Sequence, residues 1–178
     1  KKMVYNKSHA EDVKTRDPAT AYDSISWDVL PEIYETLFEY DYLSNSYKLV
    51  PLLAADMPKF SADGLTVRIP IRKGIRFQDD KAFTQTAGKG RELVAQDFIY
   101  AFKRLAIPSI QSQGMWIFDG KIVGFTDFYE KLKKAKKEDL AKVFAEPITG
   151  FKAVDSHTLE IKLVRPYPQL LYVLAMPF

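Results

Sequence analysis

The sequence predicts an α+β fold in which a mostly antiparallel sheet is flanked by helices. Residues 65–71 alternate between apolar and other residues, which is the period of a strand with one buried face. Residues 150–154 and 158–164 flank a short polar turn at 155–157, which indicates a β-hairpin. Amphipathic helical segments are placed irregularly among these strands, which favours hairpin connections over a regular parallel sheet.

The first helix is predicted over residues 24–38, where apolar residues recur every four positions. Asp23 or Ser24 is expected to cap its N-terminus. Pro31 interrupts this pattern, so we expect a kink or a second helix start at that residue. The DP pair at 17–18 predicts a turn, because the residue before a proline avoids the helical region.

Short elements are expected between this helix and the strand at 65–71. Extended segments are predicted at 39–42, 47–50 and 57–60, with one helical turn at 52–55 and a turn at 61–64. Pro70 lies within the strand at 65–71 and cannot donate to a β-ladder. We therefore expect this strand to lie at a sheet edge or to contain a bulge.

The remaining helices are predicted from apolar faces of helical period. They cover residues 94–105, 125–136, 138–144 and 169–175. Residues 79–93 are polar and contain two glycines, which predicts a loop. The lysine run at 131–137 is interpreted as the solvated face of a helix.

Composition limits the possible classes of protein. The 178 residues include no cysteine, which excludes disulfides and thiolate metal sites. The formal net charge is +3, and the basic residues are mostly dispersed, unlike those of nucleic-acid-binding proteins.

The last residues, LLYVLAMPF, are apolar, whereas natural termini are usually polar and frayed. We therefore expect the chain to be a fragment of a longer polypeptide.

Reactive side chains do not form a recognisable catalytic pattern. His9 and His157 lie far apart in the sequence, which is a poor basis for a metal site. The glycines of TAGKGR lack the spacing of a phosphate-binding loop. Asp79 and Asp80 are adjacent, and adjacent side chains of an extended segment point to opposite faces. We expect no catalytic residue, no metal ligand and no cofactor, which favours binding over catalysis.

Four segments carry a family resemblance. The DP turn precedes ETLFEYD at 35–41, and PLLAADMPKFSADGLTVRIPIRKGIRFQDD follows at 51–80. AQDFIYAFKRL at 95–105 and ITGFKAVDSHTLEIKLVRPYPQLLYVLA at 148–175 come next. In this order they resemble family 5 of the extracytoplasmic solute-binding proteins, which includes peptide- and nickel-binding proteins. The chain departs from the family pattern at Pro70 and in the lengthened segment TQTAGKGRELV.

The resemblance implies part of a class II periplasmic-binding-protein fold, in which two lobes close on the ligand. It implies that residues 1–34 belong to the first lobe, 35–172 to an extra scaffold domain, and 173–178 to the return into the first lobe. It also implies the substrate-binding component of an ABC importer. Such a protein captures peptides or similar small solutes in the periplasm, or at the cell surface when lipid-anchored. Its partners are then the permease subunits, and nucleic acid is not among them.

Candidate ligand-binding residues also follow from the resemblance. They are Tyr22, Asp23 and Ser24 after the DP turn, and Met115, Trp116 and Phe118 in the scaffold domain. The alternative for Trp116 and Phe118 is a place in the hydrophobic core. Two other functions stay open at this point. One is a fragment of a hydrolase or peptidase using carboxylates and His157, and the other is a nucleic-acid or membrane-surface module using the lysines at 131–137.

Overall fold

The computed structural model describes residues 3–4 and 6–178. The helices are α1 (Ser24–Val29), α2 (Ala95–Arg104), α3 (Phe125–Lys134), α4 (Leu140–Ala145) and α5 (Leu170–Val173). The strands are β1 (Phe38–Tyr40), β2 (Leu49–Pro51), β3 (Lys59–Phe60), β4 (Thr66–Pro70), β5 (Phe151–Asp155) and β6 (Thr158–Lys162). Short 3₁₀ helices lie at Leu30–Glu32, Thr84–Thr86, Pro108–Ile110 and Met115–Ile117.

The strands form two antiparallel sheets, which confirms the α+β prediction. β1 and β2 make a two-stranded ribbon, and the other four strands have the order β3-β4-β6-β5. β4 pairs with β6 along its whole length, from Thr66 opposite Lys162 to Pro70 opposite Thr158. The two predicted segments, 65–71 and 158–164, are therefore neighbours in one sheet.

The hydrophobic core lies between the four-stranded sheet and the helices. α2 packs against β5 and β6, and the period-two pattern of β4 places Val67 and Ile69 fully inside. Four phenylalanine rings meet at the centre of this core: Phe102, Phe118, Phe125 and Phe151. Since these rings come from α2, α3, β5 and the segment before α3, their packing joins these elements around one core.

The first helix is shorter than the periodicity predicted. Asp23 caps α1 as expected, because its carboxylate accepts a hydrogen bond from the backbone N of Ser26 at 2.9 Å. The α-helix ends at Val29, and Pro31 lies in the 3₁₀ helix that follows. Ile33 is exposed, so the predicted helical face does not continue to residue 38. The proline accounts for the difference, since its ring is incompatible with an α-helix interior.

The segment 52–55 does not form the helical turn that we predicted. Ala54 makes a β-bridge with Ile71, and the backbone N of Ala55 donates to the carbonyl of Pro70 at 2.8 Å. The prediction that this strand lies at an edge or contains a bulge was also wrong, because β4 lies between β3 and β6 and pairs with β6 without a register shift. Pro70 is tolerated because it is the last residue of β4, beyond the two residues that β3 pairs.

Glu160 is buried although it alternates along β6 with the core residues Leu159 and Ile161. It is only 6% exposed, and its carboxylate accepts a hydrogen bond from Arg68 Nε at 2.7 Å. In the sheet register Glu160 lies between Arg68 of β4 and Lys152 of β5. Long side chains from both neighbouring strands can therefore cover a residue whose own alternation predicts exposure.

Candidate ligand-binding site

Three candidate residues, Tyr22, Asp23 and Ser24, lie at the N-terminus of α1, and we call them the N-terminal strip. Tyr22 is 55% exposed, and Ser24 is exposed at the first helical position. Asp23 lies between them as the N-cap, and the hydrogen bond from the backbone N of Ser26 holds the pKa of its carboxyl below the ordinary value. Asp23 thus stabilises the strip locally, while the ring of Tyr22 is accessible to a ligand.

An ion pair ties this strip to the rest of the molecule. Asp17 Oδ1 and Oδ2 accept hydrogen bonds from Arg104 Nη1 and Nη2 at 3.0 and 2.6 Å. Ala19 N also donates to Asp17 Oδ1 at 3.1 Å, which closes the turn after the DP pair. The hydrogen bonds from Arg104 lower the pKa of Asp17, and the same contact raises the pKa of Arg104. The bidentate geometry fixes the turn against the end of α2.

We expect the Asp17–Arg104 pair to stabilise the fold only while Asp17 is ionised. The lowered pKa of Asp17 means that its contribution is complete above about pH 4, the range of an unfolded aspartate, and is lost as the pH falls through the folded-state value. The substitution Asp17→Asn should therefore lower the free energy of unfolding by about 1 kcal/mol at pH 6, since the pair is partly exposed. Urea denaturation of both proteins at pH 6 and pH 3 measures this difference.

The difference between wild type and Asp17→Asn should shrink at pH 3. Asp12→Asn is a suitable control, because Asp12 is exposed in the same N-terminal segment and makes no ion pair with a described residue. A wild-type-to-variant difference of the same size at both pH values would contradict the proposed dependence on the Asp17 charge.

The second group of candidates lies in the 3₁₀ helix Met115–Ile117 and just after it. Trp116 is 49% exposed, whereas Met115 is half-buried against the core. Phe118 is 2% exposed and packs edge-on against Phe102 and Phe125, with ring centroids 4.9 and 5.5 Å apart. These placements favour a core role for Phe118 and leave Trp116 as the accessible aromatic residue of this group.

Phe178 contacts both of the segments that carry the candidate residues. Its ring meets that of Trp27 edge-on, with centroids 5.1 Å apart, and Trp27 belongs to α1. The same ring covers Gly114, since a Cβ built on that glycine would come within 2.7 Å of Phe178 Cε1. Trp27 of α1 and Gly114, the residue before Met115, are therefore joined through one aromatic side chain. The chain order does not predict this contact.

Sequence reasoning missed a cationic side chain next to Trp116. Lys121 Nζ lies 5.5 Å from the ring centroid of Trp116 and 5.4 Å from that of Tyr167. It also donates a hydrogen bond to the carbonyl oxygen of Trp116. The RPYP sequence at 165–168 resembles part of a family motif, but nothing in it indicates a contact with Lys121.

The other titratable candidates each have a separate partner. His157 Nε2 lies 3.1 Å from Glu92 Oε1, and His9 is near Asp28 at the other end of the chain. Asp79 pairs with Lys89, whereas Asp80 accepts from the backbone N of Ala82. Across the described residues, no group of three potential ligating side chains is placed to hold a metal ion.

A cavity of about 500 Å³ lies between α3 and residues 146–149. None of the candidate residues lines it.

The chain is similar to one family of bacterial proteins and to characterised members of it. The family model described as "Bacterial extracellular solute-binding proteins, family 5 Middle" matches residues 48–178. The chain is 28% identical over 165 residues to the oligopeptide-binding protein AmiA of Streptococcus pneumoniae. That alignment covers 93% of this chain and 22% of AmiA, so the chain spans less than a quarter of that relative.

Two solved structures resemble the chain. The pheromone receptor PrgZ, described with its mode of peptide binding, is 28% identical with a TM-score of 0.67, covering 92% of this chain and 27% of PrgZ. OppA of Listeria monocytogenes, solved with bound peptide, is 24% identical with a TM-score of 0.70, covering 95% of this chain and 28% of OppA. The OppA similarity supports the fold.

In the described part of the chain, every helix is too short or too polar to cross a bilayer.

Proposed function

This chain belongs to family 5 of the bacterial extracellular solute-binding proteins, and from that premise we propose that its full-length protein is the substrate-binding component of an ABC importer. It captures peptides or similar small solutes and delivers them to the permease subunits. The protein works outside the cytoplasm, in the periplasm or held at the cell surface by a lipid anchor. It binds its ligand without transforming it.

The observation that carries this proposal is that two exposed aromatic residues lie on segments that Phe178 joins. Tyr22 and Trp116 both present about half of their surface to solvent, on segments that Phe178 joins. Accessible tyrosine and tryptophan rings offer large apolar faces at a low cost in conformational entropy, which suits binding of varied side chains.

In the proposed domain arrangement, consecutive segments of the chain belong to different domains. Residues 1–34 contribute to the first ligand-binding lobe, 35–172 form the scaffold domain, and 173–178 begin the return to the first lobe. Asp17 and Arg104 then link the first lobe to the scaffold, and Trp27 and Phe178 meet within the first lobe. Ligand captured between two lobes stabilises their closed arrangement, which the transporter recognises.

Calorimetric titration with peptides tests the proposal. The full-length protein should show saturable heat with a defined mixture of tri- to pentapeptides, and the 178-residue chain should show only heat of dilution. The reason is that a chain spanning about a quarter of its relatives contains part of the cleft. Tight peptide binding by the 178-residue chain would refute the two-lobe arrangement, and no binding by the full-length protein would refute the proposed function.

The proposed role of Trp116 in ligand binding is tested by measuring the peptide affinity of a variant. In the full-length protein, Trp116→Ala should weaken peptide binding about tenfold, the equivalent of about 1.4 kcal/mol. Tyr42→Ala is the matched control, since Tyr42 is an exposed aromatic residue in the β1–β2 connection. Equal affinities of the Trp116→Ala variant and wild type would remove Trp116 from the proposed cleft.

A further inference from the structure

A small cavity next to Trp116 has the chemistry of an anion site. It measures about 250 Å³ and is lined by Lys121, Arg165, Pro166, Tyr167 and Gln169. Its lining contains two cationic side chains and no carboxylate. Cavities that hold a whole small ligand usually measure about 300–1,000 Å³. The size therefore suits one side chain or one terminal group of a larger ligand.

No carboxylate in the described part of the chain pairs with the positive charges of this cavity. Among the described residues, neither Lys121 nor Arg165 forms an ion pair with an aspartate or glutamate. Lys121 uses one donor for the carbonyl oxygen of Trp116, and an ammonium group has three. Two donors of Lys121 and the guanidinium of Arg165 thus stay available for an anionic oxygen.

Backbone pairing holds the segments that carry Lys121 and Arg165 next to each other. Val164 N donates to the carbonyl oxygen of Lys121 at 2.8 Å, and Ile122 makes a β-bridge with Leu163. Arg165 follows directly on this paired segment. The ring faces of Trp116 and Tyr167 attract the Lys121 ammonium and keep it beside the cavity. A site whose charges are positioned before the ligand arrives loses less entropy on binding.

Two polar groups complete the lining. Burial raises the pKa of the Tyr167 hydroxyl, so at neutral pH it is a protonated donor. Gln169 is exposed and carries an amide that donates to oxygen. Each of these groups can stabilise an anion.

We propose that this cavity is a subsite for a carboxylate carried by the captured ligand. The carboxylate is an acidic side chain or the C-terminal group of a peptide whose other residues contact Trp116. This inference rests on the proposed function, since it assigns a chemical preference to the same binding surface.

Paired peptides test the subsite in the full-length protein. Calorimetry compares Ala-Ala-Glu-Ala amide, Ala-Ala-Gln-Ala with a free C-terminus, and Ala-Ala-Gln-Ala amide, which has no carboxylate. At least one carboxylate peptide should bind about tenfold more tightly than the neutral amide, and the stronger of the two identifies the source of the carboxylate. In the double variant Lys121→Gln/Arg165→Gln this ratio should fall to about one.

Lys162→Gln is the matched control, because Lys162 is an exposed lysine of β6 outside the cavity lining. It should keep the wild-type ratio. A ratio near one in the wild type, or a ratio that survives in the double variant, overturns the subsite while leaving peptide capture itself intact. Circular dichroism melting of the double variant checks that it is folded.

A separate arm decides the subsite if the full-length protein binds none of these peptides. N-acetylglutamate is titrated while tryptophan fluorescence is recorded, since a carboxylate that draws Lys121 from the Trp116 ring alters that signal. Saturable change in the wild type and its loss in the double variant support the cavity. Absence of a saturable change in the wild type overturns it. The peptide titration then tests the proposed function, and the N-acetylglutamate titration tests the carboxylate subsite separately.

Discussion

Replacing Phe118 by alanine is expected to lower the free energy of unfolding by about 3–5 kcal/mol. Phe118 is 2% exposed, and its ring meets those of Phe102, Phe125 and Phe151 at centroid distances of 4.9, 5.5 and 5.4 Å. Truncation removes the apolar surface of one ring and leaves a cavity that three neighbouring rings cannot fill without moving. Urea denaturation followed by far-ultraviolet circular dichroism measures the change in the midpoint at constant slope.

Trp116→Ala is the natural comparison for this variant, because it removes a large aromatic side chain two residues away. About half of Trp116 is already in contact with solvent, so its loss should cost no more than about 1 kcal/mol. The two variants separate the two roles: Phe118→Ala should affect stability, and Trp116→Ala should affect ligand affinity. A smaller loss of stability for Phe118→Ala than for Trp116→Ala would contradict the assignment of Phe118 to the core.

Gly150→Ala is expected to cost about 3 kcal/mol of stability through overpacking. A Cβ on Gly150 would lie 2.5 Å from the carbonyl oxygen of Val123 and 2.6 Å from Ile122 Cγ2. The backbone of Val123 cannot move away easily, since its N–H donates to the carbonyl of Lys162 at 3.1 Å. Lys162 N in turn donates to the carbonyl of Gly150 at 2.8 Å. One added methyl group would therefore push apart segments that hydrogen bonds hold together.

Gly64→Ala serves as the control for the effect of removing a glycine. Gly64 has no atom within 4 Å of a built Cβ, but its φ of +69° lies in the left-handed region. Its substitution should cost about 1 kcal/mol from backbone strain alone. Thermal or urea denaturation of both variants gives the comparison. If Gly150→Ala cost no more than Gly64→Ala, the close approach of Gly150 to Val123 would not be a constraint on the folded protein.

Short-range patterns in the sequence correctly predicted most of the elements. The alternation at 65–71 and the polar turn at 155–157 appear as β4 and the β5–β6 hairpin. The helix predicted at 94–105 appears as α2. These predictions succeed because side-chain periodicity and turn propensity depend on neighbouring residues, and the sheet and helix faces here are buried on one side.

The errors concern positions where a partner distant in the sequence determines the outcome. The segment 52–55 could not be assigned locally, since its conformation follows from the bridge between Ala54 and Ile71. Glu160 could not be recognised as buried, because Arg68 supplies its charge partner from another strand. Local periodicity contains no information about which strands become neighbours.

For the candidate binding surface too, the sequence determined some features and the tertiary structure determined others. Motif order and spacing were sufficient to indicate the family. The binding role of the two segments around Tyr22 and Trp116 stays a prediction. Packing had to separate exposed Trp116 from buried Phe118, and it alone placed Lys121 near Arg165 and joined the two segments through Phe178. The physical reason is that exposure and charge compensation depend on all the atoms around a side chain, and most of these atoms come from residues remote in the sequence.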